Sequence, residues 1–258
     1  MPLCRDDPAW VVPGWPAPPG VCAAVSTRQG PGVSVAPFDR FNLGMRSGDD
    51  PAAVAANRAA LQAALDLPHP PHWLQQVHGT GVCVVRDAAG REEPIADAAI
   101  TRECSQPLAI LTADCLPVLL CDAAGSVVGA AHAGWRGLAA GVIERTVAAM
   151  AVDPARVRAW LGPCIGLPSY EVGEEVRAAF VDTDPGAASR LVPTRPGHWR
   201  CDLAALARRR LATIGVTQVA GGGFDTFTDA RFYSYRRDGV RSGRFASLIW
   251  LEDAAHAR

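Results

Sequence analysis

The stretch from Leu108 to Trp135 is the feature that most constrains this chain. It is strongly apolar, yet Asp114, Pro117 and Asp122 interrupt it. A membrane-spanning helix needs about 20 consecutive apolar residues, so breaks this frequent exclude one here. The stretch instead reads as buried strands at Leu108 to Leu111, Pro117 to Cys121 and Val127 to Ala131, the last two joined by a turn at Asp122-Ala-Ala-Gly125. Trp73 to Val85 and Val157 to Leu161 read as further strands. Asp49-Asp50-Pro51 opens a helix, with an Asp cap before a Pro at the first helical position. Val54, Leu61 and Leu65 are its apolar stripe, and Pro68, Pro70 and Pro71 end it. Leu138 to Met150, Tyr170 to Val181 and Asp202 to Ile214 are expected to be helical, the last closed by Gly215. Phe232 to Tyr235 and Phe245 to Leu251 suggest a final hairpin around Asp238-Gly239, and Pro13 to Pro19 an irregular lead-in. Strands that pair through short turns yet also alternate with helices imply one mixed-sheet domain over residues 1–258, either α/β or α+β, with flanking helices.

Composition narrows the chemistry. The basic side chains are 25 arginines and no lysine, which removes the lysine-dependent phosphate loop, Schiff-base catalysis and the kinase fold. A net charge of −1 provides no electrostatic footprint for nucleic acid. The opening Met1-Pro-Leu-Cys-Arg-Asp-Asp-Pro has no basic run leading into an apolar one, so a cytoplasmic location with reduced thiols is expected. The eight cysteines form no CxxC pair, and most read as small buried hydrophobes.

Among six histidines, two stand at the ends of apolar segments beside glycine: His78 in Gln-Val-His-Gly and His132 in Ala-His-Ala-Gly-Trp-Arg-Gly137. Cys115 lies between them in Thr112-Ala-Asp-Cys-Leu-Pro. Two imidazoles and a thiolate can hold zinc and leave its fourth position open. The same residues can form a Cys–His nucleophile pair, or be two hydrogen-bonded histidines and a core thiol. Asp114 is either a turn residue or an acid/base group beside the thiol. Arg58 shares the apolar helix face of Val54 and Leu61, so it snorkels or lines an anion site. Arg136 precedes a helix in a glycine-flanked loop suited to phosphate, or braces that loop. Leu161-Gly-Pro-Cys-Ile-Gly166 is a tight loop at the cleft, with Cys164 as packing. His69, His72, His198 and His256 are expected to be inert.

Together, Phe41-Asn-Leu-Gly44, Gly48-Asp-Asp-Pro51, Asn57-Arg58, Trp73 to Thr80, Thr112 to Val118, Ala130 to Gly137, Trp160 to Pro163, Tyr170 to Gly173, and Phe232 to Arg237 with Ala246 to Trp250 resemble the YfiH-type family. That family is also labelled laccase-domain protein, polyphenol oxidase, purine nucleoside phosphorylase and peptidoglycan editing factor. The resemblance implies an α+β sandwich similar to cysteine-hydrolase-type folds. It implies zinc on His78, Cys115 and His132, with Cys115, Asp114 and His132 catalytic and Arg58, Arg136 and Asn42 binding substrate or phosphate. The implied activity is phosphorolysis of adenosine, inosine, guanosine and S-methyl-5'-thioadenosine, with adenosine deamination beside it. An amide hydrolase acting on peptidoglycan precursors is the alternative, and a copper-dependent oxidase a more distant one. The chain departs from the family at Arg46, often His, and at Asp225, often Cys; both are expected to alter the cleft's charge.

Overall fold

The computed structural model describes residues 7–86 and 93–252. In chain order the strands and helices are β1 (Trp10–Val11), β2 (Val21–Ser26), α1 (Pro51–Ala64), β3 (Val82–Val85), β4 (Ala98–Thr101), β5 (Leu108–Thr112), β6 (Leu116–Asp122), β7 (Val128–Ala133), α2 (Trp135–Ala140), α3 (Val142–Met150), β8 (Val157–Leu161), β9 (Glu171–Gly173), α4 (Glu174–Val181), β10 (Leu191–Arg195), β11 (His198–Cys201), α5 (Leu203–Thr213), β12 (Gln218–Gly221), α6 (Tyr235–Asp238) and β13 (Phe245–Leu251). They build an α+β sandwich. A six-stranded mixed sheet ordered β12-β8-β6-β7-β4-β3 packs on a four-stranded sheet ordered β1-β2-β13-β5. A small β10-β11-β9 sheet stands apart.

The side-chain alternation of a strand explains the layering. Every residue of β6 is buried. Leu119 and Cys121 point toward the four-stranded sheet, where Ile110, Phe245 and Ile249 meet them. Val118 and Leu120 belong to the core on the other side, together with Leu138 and Val142 and with Leu206 of α5. The outer face of the four-stranded sheet presents Ala24, Leu248 and Trp250 to Phe41, Leu43 and Leu61. A strand apolar on both faces is thus accounted for by a layer on each side.

Several expectations are corrected. The long helix from Leu138 is two helices, because Gly141 adopts a left-handed φ of 95° between α2 and α3. Trp73 to Val85 is a strand only in β3, preceded by isolated bridges at His72 and Gln75 and by a turn at His78 with φ of 61°. Tyr170 to Val181 begins as β9 before the helix starts at Glu174. The final hairpin does not form: Tyr235–Asp238 is one helical turn, and β13 pairs instead with β2 and β5. The first helix is capped as expected, the Asp50 carboxylate accepting from the Ala52 amide at 3.0 Å. Among the described residues no helix is long and apolar enough to cross a membrane.

Because Leu119 is closed in by two layers and Asp50 caps one exposed helix end, their removal should differ in cost. Leu119→Ala is expected to lower the unfolding free energy by about 2–5 kcal/mol, and Asp50→Ala by about 1 kcal/mol. Urea melts of both variants check this; equal losses would contradict the layered core.

Candidate active site

Strand register brings the distant residues together. Antiparallel pairing of β6 with β7 sets Leu116 opposite Ala133 and Pro117 opposite His132. One residue further along, Cys115 falls opposite Gly134 and beside His132. Pairing of β4 with β7 sets Ala98 opposite Ala131, so Asp97 falls opposite His132, whose amide donates to the Asp97 carbonyl at 2.7 Å. His78 enters from the turn ahead of β3. Its Nε2 lies 3.8 Å from the Cys115 sulfur, and its ring centroid is 4.8 Å from that of His132.

One ligand atom each from His78, Cys115 and His132 can be chosen so that all lie within 4.8 Å of one another. Ligands on a tetrahedral zinc with bonds of about 2.0–2.3 Å stand about 3.6 Å apart, so the donor set fits such an ion. The His132 Nδ1 is engaged with Asp97 at 2.9 Å, which leaves Nε2 as its free ring nitrogen. Gly134 fits closely against the same three side chains: a Cβ there would sit 2.9 Å from the His78 ring and 3.0 Å from the Cys115 sulfur. The backbone at Gly134 therefore leaves room for imidazole and thiolate but not for a further side chain.

Charge in the metal-free site is organised around the thiol. Burial acts to raise the Cys115 pKa, but the adjacent His132 and His78 outweigh it and bring it down to about 6. Burial likewise opposes charge on His132, yet the Cys115 thiolate and the Asp97 carboxylate lift its pKa to about 9. Asp97 is itself pushed up by burial and more than restored by His132 and the Gly79 and Val77 amides, ending below the ordinary range.

These residues open into a cavity of about 530 Å³. Five arginines line it: Arg46, Arg58, Arg136, Arg236 and Arg244. Arg58 and Arg136 thus share one cavity with His78, Cys115 and His132. Arg58 stacks on Trp73, its guanidinium 4.1 Å from the ring centroid, and Arg136 lies 4.3 Å from that of Trp135. Glu93 pairs with Arg58 at 2.8 Å and with Arg46. Tyr170 and Tyr235 add aromatic surface to the cavity.

Asp114, also in the wall, is fastened at both oxygens, by the Thr226 hydroxyl at 2.7 Å and the Arg236 amide at 2.6 Å. Its sequence position beside the thiol is matched by a clamping role among three loops. Asn42 is corrected as a substrate contact: it is fully buried behind the cavity wall, donating to Ser47 and Asp49 and accepting from the Gly44 and Arg244 amides, and Gly44, Ser47 and Arg244 line the cavity in its place. Asp225 is corrected as a cleft charge: it accepts from Gly166, Phe227 and Ser169 and ties two loops together outside the cavity lining. Cys164 packs in the core as expected. His72 bonds Gln106 at 2.8 Å and His198 the Pro196 carbonyl at 3.1 Å, while His256 lies outside the described residues.

Sequence reasoning missed Asp97, Glu93, Arg236, Arg244 and Tyr170. Asp97 carried one usable signal, an acidic residue heading the apolar run Ala98-Ala-Ile.

Residues 22–252 match the family described as multi-copper polyphenol oxidoreductase laccase. The chain belongs to this laccase-domain family. It is 54% identical over 255 residues to a protein of Xylella fastidiosa strain Temecula1 named purine nucleoside phosphorylase, covering 95% of this chain and 98% of that one. It is 48% identical over 242 residues to purine nucleoside phosphorylase YfiH of Escherichia coli K12, covering 93% and 98%. A solved Neisseria meningitidis protein matches at a TM-score of 0.91 and 45% identity, over 95% of this chain and 100% of that one. YlmD from Geobacillus stearothermophilus matches at 0.90 and 30% identity, over 98% of both.

In this laccase-domain chain the site thiol should stand apart from the other cysteines. With metal stripped, iodoacetamide labelling of Cys115 is expected to rise with a midpoint near pH 6, since a lowered pKa keeps the thiolate present to lower pH. Cys121 and Cys201, whose pKa values burial pushes up to about 12, should stay unlabelled at neutral pH. Peptide mass spectrometry across pH reads this directly; a Cys115 midpoint above pH 8 would contradict the histidine effect.

Proposed function

We propose that this chain is a zinc-dependent purine nucleoside phosphorylase acting on adenosine, inosine, guanosine and S-methyl-5'-thioadenosine. The supporting observation is one cavity in which the His78–Cys115–His132 donor set faces five arginines and two tyrosines. Its volume of about 530 Å³ falls in the range for a small-molecule site. The names carried by the YfiH relatives point to the same reaction class.

Each residue type has a task. Phosphate is a planar-forked guanidinium's natural partner, and Arg136, exposed and stacked only on Trp135, is available to it. Arg58 adds a second positive group: its Nη2 is buried and unpaired among the described residues. Tyr170 and Tyr235 offer faces for the purine. A phosphate oxygen attacks C1′, the C1′–N9 bond breaks with its electron pair on the base, and the base takes up a proton to leave as free purine with ribose 1-phosphate. Zinc, when bound, supplies Lewis-acid stabilisation of developing negative charge. Two imidazoles and one thiolate form a donor pattern suited to a catalytic zinc centre. Adenosine deamination is proposed as a side activity, in which water displaces the C6 amine as ammonia.

A second reading is favoured by the lowered Cys115 pKa and the His78 ring 3.8 Å away: a Cys–His amide hydrolase. Product analysis separates the two. Adenosine should yield adenine and ribose 1-phosphate only when phosphate is present, whereas inosine formation should be indifferent to phosphate. Cys115→Ser should lose zinc along with phosphorolysis. Adenine released equally fast without phosphate would contradict phosphorolysis. Cys115→Ser that loses amide hydrolysis at unchanged metal content would install the hydrolase, and copper at one equivalent in the isolated protein would install the oxidase.

A further inference from the structure

We propose that Asp97 is the positioning residue that assembles the metal site, orienting both histidines through one carboxylate. The inference rests on the metal-site part of the reading above and not on the reaction proposed there.

Asp97 is fully buried, at the entry to β4, which lies between β7 and the edge strand β3 of the six-stranded sheet. Its carboxylate meets four protein N–H donors. Oδ1 accepts from the His78 amide at 2.9 Å and stands 2.9 Å from the His132 Nδ1. Oδ2 accepts from the Val77 amide at 3.2 Å and the Gly79 amide at 2.6 Å. A carboxylate has about four acceptor sites, so none is left over. Three of the donors are consecutive amides of the turn that carries His78. That turn holds His78 at a φ of 61°, a left-handed conformation that a residue with a Cβ adopts only when held there. The fourth donor is the imidazole of the second histidine. One side chain therefore sets the backbone of the first ligand and the ring orientation of the second.

The chemistry follows from the donor count. With Nδ1–H given to Asp97, His132 is fixed in the tautomer whose Nε2 lone pair is free for a metal. A buried carboxylate in this place also supplies the negative charge that raises ligand basicity. Asparagine cannot reproduce this. It has one acceptor oxygen: placed where Oδ1 stands, it leaves the Val77 and Gly79 amides of the His78 turn facing an NH₂ group, and placed where Oδ2 stands, it leaves the His78 amide and the His132 ring facing one.

Three measurements test the proposal, none of them turnover. In the zinc-loaded wild-type protein, histidine side-chain ¹⁵N NMR should show His132 with Nδ1 protonated and Nε2 bound to metal. A proton on Nε2, with metal on Nδ1, would overturn the proposal. Chelator competition should show zinc affinity reduced about 10–100-fold in Asp97→Asn. Asp225→Asn is the comparison, since it removes an equally engaged carboxylate that touches no metal ligand; its zinc affinity should stay within about twofold of wild type. Cobalt substituted for zinc in Asp97→Asn should lose visible absorbance as tetrahedral geometry is relaxed. Zinc affinity within twofold of wild type in Asp97→Asn, with an unchanged cobalt spectrum, would overturn the proposal. If Asp97→Asn does not fold, the wild-type tautomer alone decides. A wild-type protein that takes up no zinc overturns the metal reading itself, while loss of phosphorolysis with zinc binding intact touches only the proposed reaction.

Discussion

The arrangement depends on the Asp97–His132 interaction. A carboxylate without any exposure in a sheet interior is costly unless its charge is matched and its oxygens are filled. Here both conditions are met, by an imidazole and by three amides of a single turn. The sheet makes this possible. β4 lies between β3 and β7, so its first position touches the His78 turn on one side and His132 on the other. Cys115 then arrives through the β6–β7 register, opposite Gly134. Three segments far apart in sequence converge because neighbouring strands leave them no alternative.

Around that centre the charge is deliberately lopsided. The cavity wall holds five arginines, and its Asp114 is already engaged by Thr226 and Arg236. Without lysine, every one of these cations is a planar fork that can stack as well as pair. Trp73 and Trp135 take the flat faces of Arg58 and Arg136, leaving edge N–H groups for an anion. Glu93 bridges Arg46 and Arg58, which limits the mutual repulsion of two adjacent guanidinium groups. Arg46 thus adds positive charge together with a partner that moderates it. Asp225, by contrast, leaves the cavity untouched and binds loops together.

What the sequence made legible follows the range of the interactions. The β6–β7 pair could be read because its turn and its apolar runs are local, and α1 because Asp50 and Pro51 mark its start. The ligand types could be read because His78, Cys115 and His132 interrupt apolar segments. Their convergence could not, since it depends on strand registers spanning 37 and 17 residues. Asp97 stayed hidden for the same reason: its partners lie 18–20 residues before it and 35 after it. β4 is only four residues, and β9 and β12 are as short or shorter, so no periodicity announced them. The break at Gly141 was masked by an apolar pattern that continues across it. The supposed last hairpin failed because β13 finds longer partners in β2 and β5 than a neighbouring turn offers.

The central claim is that His78, Cys115 and His132 hold one metal ion against this cavity. Zinc-edge X-ray absorption on protein loaded with one equivalent of zinc tests it most directly. The account predicts one sulfur at about 2.3 Å and nitrogen or oxygen neighbours at about 2.0–2.1 Å, with the sulfur signal lost in Cys115→Ala. A first shell of nitrogen and oxygen alone, or a sulfur signal that survives Cys115→Ala, would contradict it.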